Sequence, residues 1–155
     1  MKDTRLMKDG RGVNHLPGFL LSLAGAILIM ICFFLPWLKV KVVVKSMYLS
    51  GLELGQESTI LWMVPLLALL VGSISFIGIR TKKINLNRVL LIAFSSIGTL
   101  FILVILFSIS KEMNSGIKKI TGYKFQNGIW GTLLGFIIGI LGAFFIKPKK
   151  MAKIK

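Results

Sequence analysis

The sequence has almost none of the residues from which catalytic and metal sites are usually built. Its 155 residues include one histidine, one cysteine and five acidic residues. A lone cysteine can form no intramolecular disulfide, and neither Cys32 nor His15 has partners at a metal-ligand spacing. We therefore expect no catalytic residue, no bound metal and no cofactor.

Charge is absent from four apolar blocks, which lie at about residues 18–38, 60–79, 89–109 and 129–146. A helix rises 1.5 Å per residue, so blocks of about twenty residues match a hydrocarbon core of about 30 Å. The pattern predicts an all-α membrane protein, with a four-helix transmembrane bundle as a single domain over residues 1–155. Because no block contains Asp, Glu, Lys, Arg or His, proton-coupled transport by this chain alone is not expected.

The formal net charge is +15, and 13 of the 20 basic residues lie in three short segments: 1–16, 80–88 and 147–155. The connections 39–59 and 110–128 hold the other seven. The positive-inside rule then predicts a multi-pass protein of the plasma membrane with both termini cytoplasmic. The chain lacks nucleic-acid-binding motifs, so its basic residues are expected to meet anionic lipid headgroups instead. Three tryptophans at the predicted outer ends are expected to be interfacial anchors: Trp37, Trp62 and Trp130.

The first outer connection, 39–59, has the alternation of a β-strand with one wet face. Lys39, Lys41 and Lys45 would lie on one face, opposite Val40, Val42 and Val44. We predict two or three short strands, which continue through Ser50-Gly51 and Leu52 to Gly55 and form a small extracytoplasmic β element. Residues Tyr123 to Phe125 can add a strand to it. An unstructured loop is the alternative. The candidate partner-contact residues of the outer loops are Tyr48, Gly51, Glu53, Glu57 and Tyr123.

Small residues recur at helical spacing inside the predicted spans, where they let helix backbones approach closely in lipid. The predicted helix-packing residues are Gly131, Gly135, Gly139 and Ala143 in the fourth span, Gly18, Ser22 and Ala26 in the first, and Ala68 and Gly72 in the second. We expect the fourth span to be the helix around which the others pack. Packing within the chain is favoured, and oligomerisation is the second interpretation.

The chain resembles small four-span membrane proteins of bacteria and archaea at Leu35-Pro36-Trp37, at Ser50-Gly51-Leu52-Glu53 and in its glycine-rich last span. Its layout is also similar to that of claudin and peripheral-myelin-type tetraspans. It departs from the claudin motif because Glu53 stands where that motif has tryptophan, and because the loop has no cysteine pair. By analogy, the resemblance implies an adhesion, scaffolding or accessory role.

We therefore expect a non-enzymatic tetraspan that acts as an accessory, scaffolding or assembly subunit of a membrane complex. Its expected partners are a membrane protein or a second copy of the chain, together with the lipid bilayer. A channel or passive transporter component formed by oligomers is the alternative. A membrane enzyme that acts on lipid through Glu53 or Glu57 is a remote third interpretation.

Overall fold

The computed structural model describes residues 15–42, 45–81, 84–114 and 120–146. The two predicted cytoplasmic tails therefore lie almost entirely outside the described residues, as does Val44. The described chain has four long helices and a short one: α1 (Leu16–Phe34), α2 (Gly51–Glu57), α3 (Met63–Arg80), α4 (Ile84–Asn114) and α5 (Asn127–Phe145). The four long helices are long and apolar enough to cross a membrane. The prediction of a helical chain with four candidate membrane spans is confirmed.

The helix boundaries depart from the predicted blocks at several points. α1 ends at Phe34 rather than near 38, because the residue before a proline is forced out of helical geometry and Leu35 is extended. The second span opens with a 3-10 turn, Thr59–Trp62, before α3 begins at Met63. α4 extends beyond the predicted block 89–109 at both ends.

A three-stranded antiparallel sheet lies where α1 ends and α5 begins, and we call this end of the bundle the sheet end. Its strands are β1 (Pro36–Val42), β2 (Lys45–Ser50) and β3 (Ile120–Phe125), in the order β2-β1-β3. The predicted strands of the first connection are present, and the second connection adds β3 beside β1. The prediction that a strand follows Ser50 is wrong, since residues 51–57 form α2.

A capping box explains why α2 is a helix. The Ser50 hydroxyl accepts a hydrogen bond from the Glu53 backbone N–H at 3.2 Å, and the Glu53 carboxylate accepts one from the Ser50 backbone N–H at 2.7 Å. Serine followed by glutamate three residues later is a helix-start signal, because the pair satisfies two amides that have no partner within the helix. In the sequence, Gly51 is equally typical of a turn, and for that reason the capping box was not predicted.

The four long helices form a closed ring of contacts: α1 packs against α3 and α5, and α4 packs against the same two helices. A hydrophobic core near the sheet end includes Phe33, Trp37 and Ile129. A second core at the opposite end includes Phe19 and Ile146. The α1–α5 contact is the most extensive in the bundle, so these two helices form its central pair.

Candidate functional site

The central pair α1–α5 is held together backbone to backbone by glycines. A Cβ atom added at Gly18 would lie 2.6 Å from the Gly142 carbonyl oxygen, and one added at Gly25 would lie 2.6 Å from the Gly135 carbonyl oxygen. Along each helix, these contacts are seven residues apart. A seven-residue repeat keeps one seam facing a partner helix along a left-handed pair. We call these four glycines the glycine seam.

The predicted stripe along α5 does not lie on one face of the bundle. Gly131 and Gly135 both face α1, where a Cβ atom at Gly131 would meet the Cys32 sulfur, but a Cβ atom at Gly139 would lie 2.7 Å from Ser95 Oγ of α4. Ala143 is fully buried. The four-residue spacing therefore turns around the helix and reaches different neighbours, because four residues exceed one helical turn of 3.6.

The small residues of the other spans are divided in a similar way. Gly18 and Ser22 face α5, and the Ser22 hydroxyl donates to the Gly139 carbonyl at 3.1 Å. Ala26 instead faces α3, where a Cβ atom at Gly72 would lie 3.6 Å from the Ala26 Cβ. Ala68 of α3 is buried. Sequence reasoning missed Gly25 and Gly142, whose seven-residue spacing from Gly18 and Gly135 does not by itself identify a seam.

Trp37 is the centre of the sheet end. It is fully buried, its indole N–H donates to the Cys32 carbonyl at 2.9 Å, and its ring lies edge-on to Phe33. The β1–β2 register shifts between Pro36 and Leu38, so Trp37 occupies a β-bulge and both Trp37 and Leu38 point inward. The interpretation of Trp37 as a headgroup anchor is wrong, because such an anchor must be exposed at the bilayer interface.

Two glycines let the neighbouring helices close on the Trp37 ring. A Cβ atom at Gly51, the first residue of α2, would lie 2.8 Å from Trp37 Cε2, and one at Gly128 of α5 would lie 2.6 Å from Trp37 Cδ1. Trp37 thus joins α1, α2, α5 and β1. The other two predicted anchors, Trp62 and Trp130, are 42% and 48% exposed, so both are free to meet the headgroup region.

The five candidate contact residues of the outer loops do not form one surface. Gly51 is buried against Trp37, which rules it out as a contact residue. Tyr48 is 53% exposed, whereas Tyr123 is half-buried with its ring edge-on to Phe125. Glu57 is exposed. Glu53 is exposed, but its carboxylate accepts hydrogen bonds from the Ser50 backbone and side chain in the helix cap. These hydrogen bonds lower the pKa of the Glu53 carboxyl.

An apolar groove of about 420 Å³ opens between α1 and α3. Its small lining residues are Ala26, Ala68, Gly72 and Ser73, and its larger ones include Met30 and Phe76. The glycine seam, in contrast, is closed by direct contact. Of its small lining residues, Ser73 is exposed and Gly72 is partly exposed, whereas Ala26 and Ala68 are buried.

Among the described residues, four hydroxyl side chains are fully buried: Ser22, Ser75, Ser95 and Thr132. Ser75 and Thr132 donate to carbonyls one turn earlier in their own helices, at 2.8 and 2.9 Å. In the described part of the chain, Ser95 Oγ and His15 Nδ1 are the buried side-chain polar atoms without a hydrogen-bond partner. Within the same residues, no group of three or more His, Cys, Asp or Glu side chains could hold a metal ion.

Comparison of the chain with protein-family models and with curated proteins finds no match. A functional conclusion must therefore be drawn from the surfaces described above.

Proposed function

We propose that this chain is a non-enzymatic accessory or assembly subunit of a membrane complex, and that a transmembrane helix of a partner protein occupies the groove between α1 and α3. One observation supports this proposal: the groove is open and leaves Ser73 and part of Gly72 accessible, while the glycines of the α1–α5 pair are in contact within the chain. In lipid, helix association depends on close packing, and small residues make close packing possible. A groove lined by Ala26, Ala68 and Gly72 suits an incoming helix for that reason.

The other parts of the proposal come from sequence. The charge distribution supports cytoplasmic termini in the plasma membrane, with the sheet end outside. The Leu35-Pro36-Trp37 and Ser50-Gly51 pattern supports kinship with the small four-span proteins that the chain resembles. The sheet beside the helix ends supports the likeness to claudin-type tetraspans in layout.

The two rival functions receive less support from the geometry. An acid catalyst needs a carboxyl group with a raised pKa, whereas the pKa of Glu53 is lowered and its carboxylate is engaged by Ser50. A pore needs several polar groups that are free to line it, whereas Ser22, Ser75 and Thr132 donate to backbone carbonyls and leave Ser95 as the one fully buried hydroxyl in the described residues without a partner. A passive channel formed by an oligomer stays the second candidate.

The test is to fill the groove without disturbing the core. Ser73 lies in the groove with its side chain exposed, so Ser73→Phe adds bulk there. The matched control is Ser108→Phe on α4, which is exposed on a face away from the groove. We expect Ser73→Phe to abolish crosslinking and co-purification of the partner in mild detergent, while Ser108→Phe retains both.

Two results would contradict the proposal. One is undiminished partner capture by Ser73→Phe. The other is a purified, partner-free chain that moves ions or small solutes across reconstituted liposomes, which would favour the channel.

A further inference from the structure

One face of the sheet gathers lysines from two strands. In the register of the sheet, Lys39 of β1 stands opposite Tyr48 of β2 and Lys124 of β3. Lys41, two residues further along β1, stands opposite Ser46 and Gly122. Directly paired residues of antiparallel strands project from the same side of the sheet. We call the side with Lys39, Lys41 and Lys124 the basic face.

The basic face is the outward side of the sheet. Leu38 and Val40, which alternate with the lysines along β1, are 1% and 6% exposed, whereas Lys41 and Lys124 are exposed. No described atom lies within 4 Å of a Cβ atom built at Gly122, so the space beside Lys41 is open. Lys45 does not join this face as predicted, because β2 starts a new strand and pairs Lys45 with Val42.

The charge of the basic face is not compensated within the sheet. Lys39 and Lys124 are directly opposite each other, an arrangement that destabilises strand pairing when both carry the same charge. The Lys39 ammonium lies 4.9 Å from the centre of the Tyr48 ring rather than beside a carboxylate. None of the described strand residues is acidic, and the nearby Glu53 is engaged by Ser50. A face of this kind is suited to an anion.

Chain length places these lysines beside the membrane surface. α1 and α5 have 19 residues each, which gives about 28 Å and nearly equals the hydrocarbon core, so their ends lie close to its boundary. Lys124 precedes Asn127 by three residues and Lys39 follows Phe34 by five. At about 3.3 Å per residue, their backbones lie within about 10 and 17 Å of those helix ends. A lysine side chain can extend from there toward the headgroup layer.

We propose that the basic face binds phosphate groups of anionic lipid headgroups in the leaflet at the sheet end. This site is independent of the partner helix in the α1–α3 groove, and it is distinct from the attraction of the basic tails to lipid at the opposite end. The lysine ammonium groups neutralise the phosphates, and the lipid relieves the repulsion between Lys39 and Lys124.

The test measures lipid affinity by native mass spectrometry, with delipidated full-length protein titrated with phosphatidylglycerol or phosphatidylcholine. A basic residue near an anionic surface changes affinity roughly fivefold. We therefore expect Lys124→Gln to raise the Kd for phosphatidylglycerol about fivefold, and substitution of all three lysines by Gln to raise it about 100-fold. The matched control is Lys45→Gln, which removes the same charge from the same sheet but not from the basic face; its Kd should change less than about twofold.

Thermal unfolding gives a second readout that separates binding from folding. In phosphatidylcholine nanodiscs, Lys124→Gln should raise Tm, since it removes the repulsion with Lys39. In phosphatidylglycerol nanodiscs the same variant should have a lower Tm than the wild type, because lipid stabilisation is lost. This change of sign is not expected if Lys124 is only a structural residue.

Three outcomes would overturn the proposal. The triple variant could bind phosphatidylglycerol as tightly as the wild type, or the wild type could bind phosphatidylcholine equally well. Soluble polyphosphate could also bind the wild type but not the triple variant and resist displacement by phosphatidylglycerol, which would assign the face to a soluble anionic polymer. None of these outcomes bears on the groove, so the two proposals fail separately.

Discussion

A single methyl group added at Gly25 tests whether α1 and α5 are in backbone contact. Its Cβ would lie 2.6 Å from the Gly135 carbonyl oxygen and 3.1 Å from the Gly139 nitrogen. Both atoms belong to backbone, so no side chain can rotate away, and the two helices must separate by several tenths of an ångström. Overpacking of this kind costs about 1–3 kcal/mol.

Gly72→Ala provides the matched control. A Cβ atom at Gly72 would lie 3.6 Å from the Ala26 Cβ, which is an ordinary van der Waals distance. Both variants receive the same gain in helix propensity, up to about 1 kcal/mol, so that contribution cancels in their difference. We expect the free energy of unfolding of Gly25→Ala to lie about 1–3 kcal/mol below that of Gly72→Ala.

The measurement is equilibrium unfolding in mixed detergent micelles, followed by far-UV circular dichroism at two protein concentrations. If the seam is internal, the deficit of Gly25→Ala is the same at both concentrations. Equal stability of the two variants would refute backbone contact at Gly25. A deficit that disappears on dilution would show that the glycines join separate copies.

Three further predictions concern the sheet end. Trp37→Phe should lower the free energy of unfolding by about 0.5–1.5 kcal/mol, because the buried Cys32 carbonyl loses the indole hydrogen bond and keeps only the one from the Leu35 backbone N–H. Trp130→Phe on the exposed surface should change it little, and equal effects would contradict the assigned hydrogen bond. Because the pKa of Glu53 is lowered in the folded protein, its carboxylate stabilises α2 fully above the unfolded-state pKa. This contribution is lost as the pH falls through the folded-state pKa. The free energy of unfolding, measured as a function of pH in the acid range, should therefore show this loss in the wild type but not in Glu53→Gln. Glu57→Cys should be labelled from outside intact cells by a membrane-impermeant maleimide, and labelling only after lysis would reverse the proposed orientation.

The sequence was informative about the helices because an uninterrupted apolar run has few alternatives to a membrane-spanning helix. It was less informative about contacts inside the bundle, since a helix that is apolar all round does not reveal which face meets which neighbour. Gly131, Gly135 and Gly139 looked equivalent, yet only Gly135 lies in the glycine seam. Two glycines seven residues apart, such as Gly18 and Gly25, also occur by chance in apolar helices. Only the position of the partner helix shows that these two glycines lie at a helix contact.

Errors at the sheet end had two physical causes. Trp37 has the residue type and position of a headgroup anchor, but the β-bulge at Trp37 turns its ring inward, and bulges leave no clear mark in a single sequence. The capping box at Ser50 and Glu53 was readable, but Gly51 between them is equally typical of a turn. The pairing of β3 with β1 is a contact between distant segments, and short alternating stretches identify strands without identifying their partners.

The origin of the groove follows from a repeat within the central pair. Residues of α1 and α5 that are 110 positions apart have the same burial, so Gly18 corresponds to Gly128 and Gly25 to Gly135. With the same offset of 110 positions, Ala26 corresponds to Phe136. The Phe136 ring packs over Gly98 and fills the space between α5 and α4.

Between α1 and α3 the Phe19 ring packs over Gly78, whereas Ala26 has only a methyl group against Gly72, and these two residues line the groove. Ala26→Phe should therefore close the groove and prevent partner association while the helices stay folded, whereas Ala93→Phe, exposed on α4, should leave association intact. The measurement is partner co-purification together with helical circular dichroism. A folded Ala26→Phe protein that still captured its partner would show that the missing ring, and hence the groove, has no part in assembly.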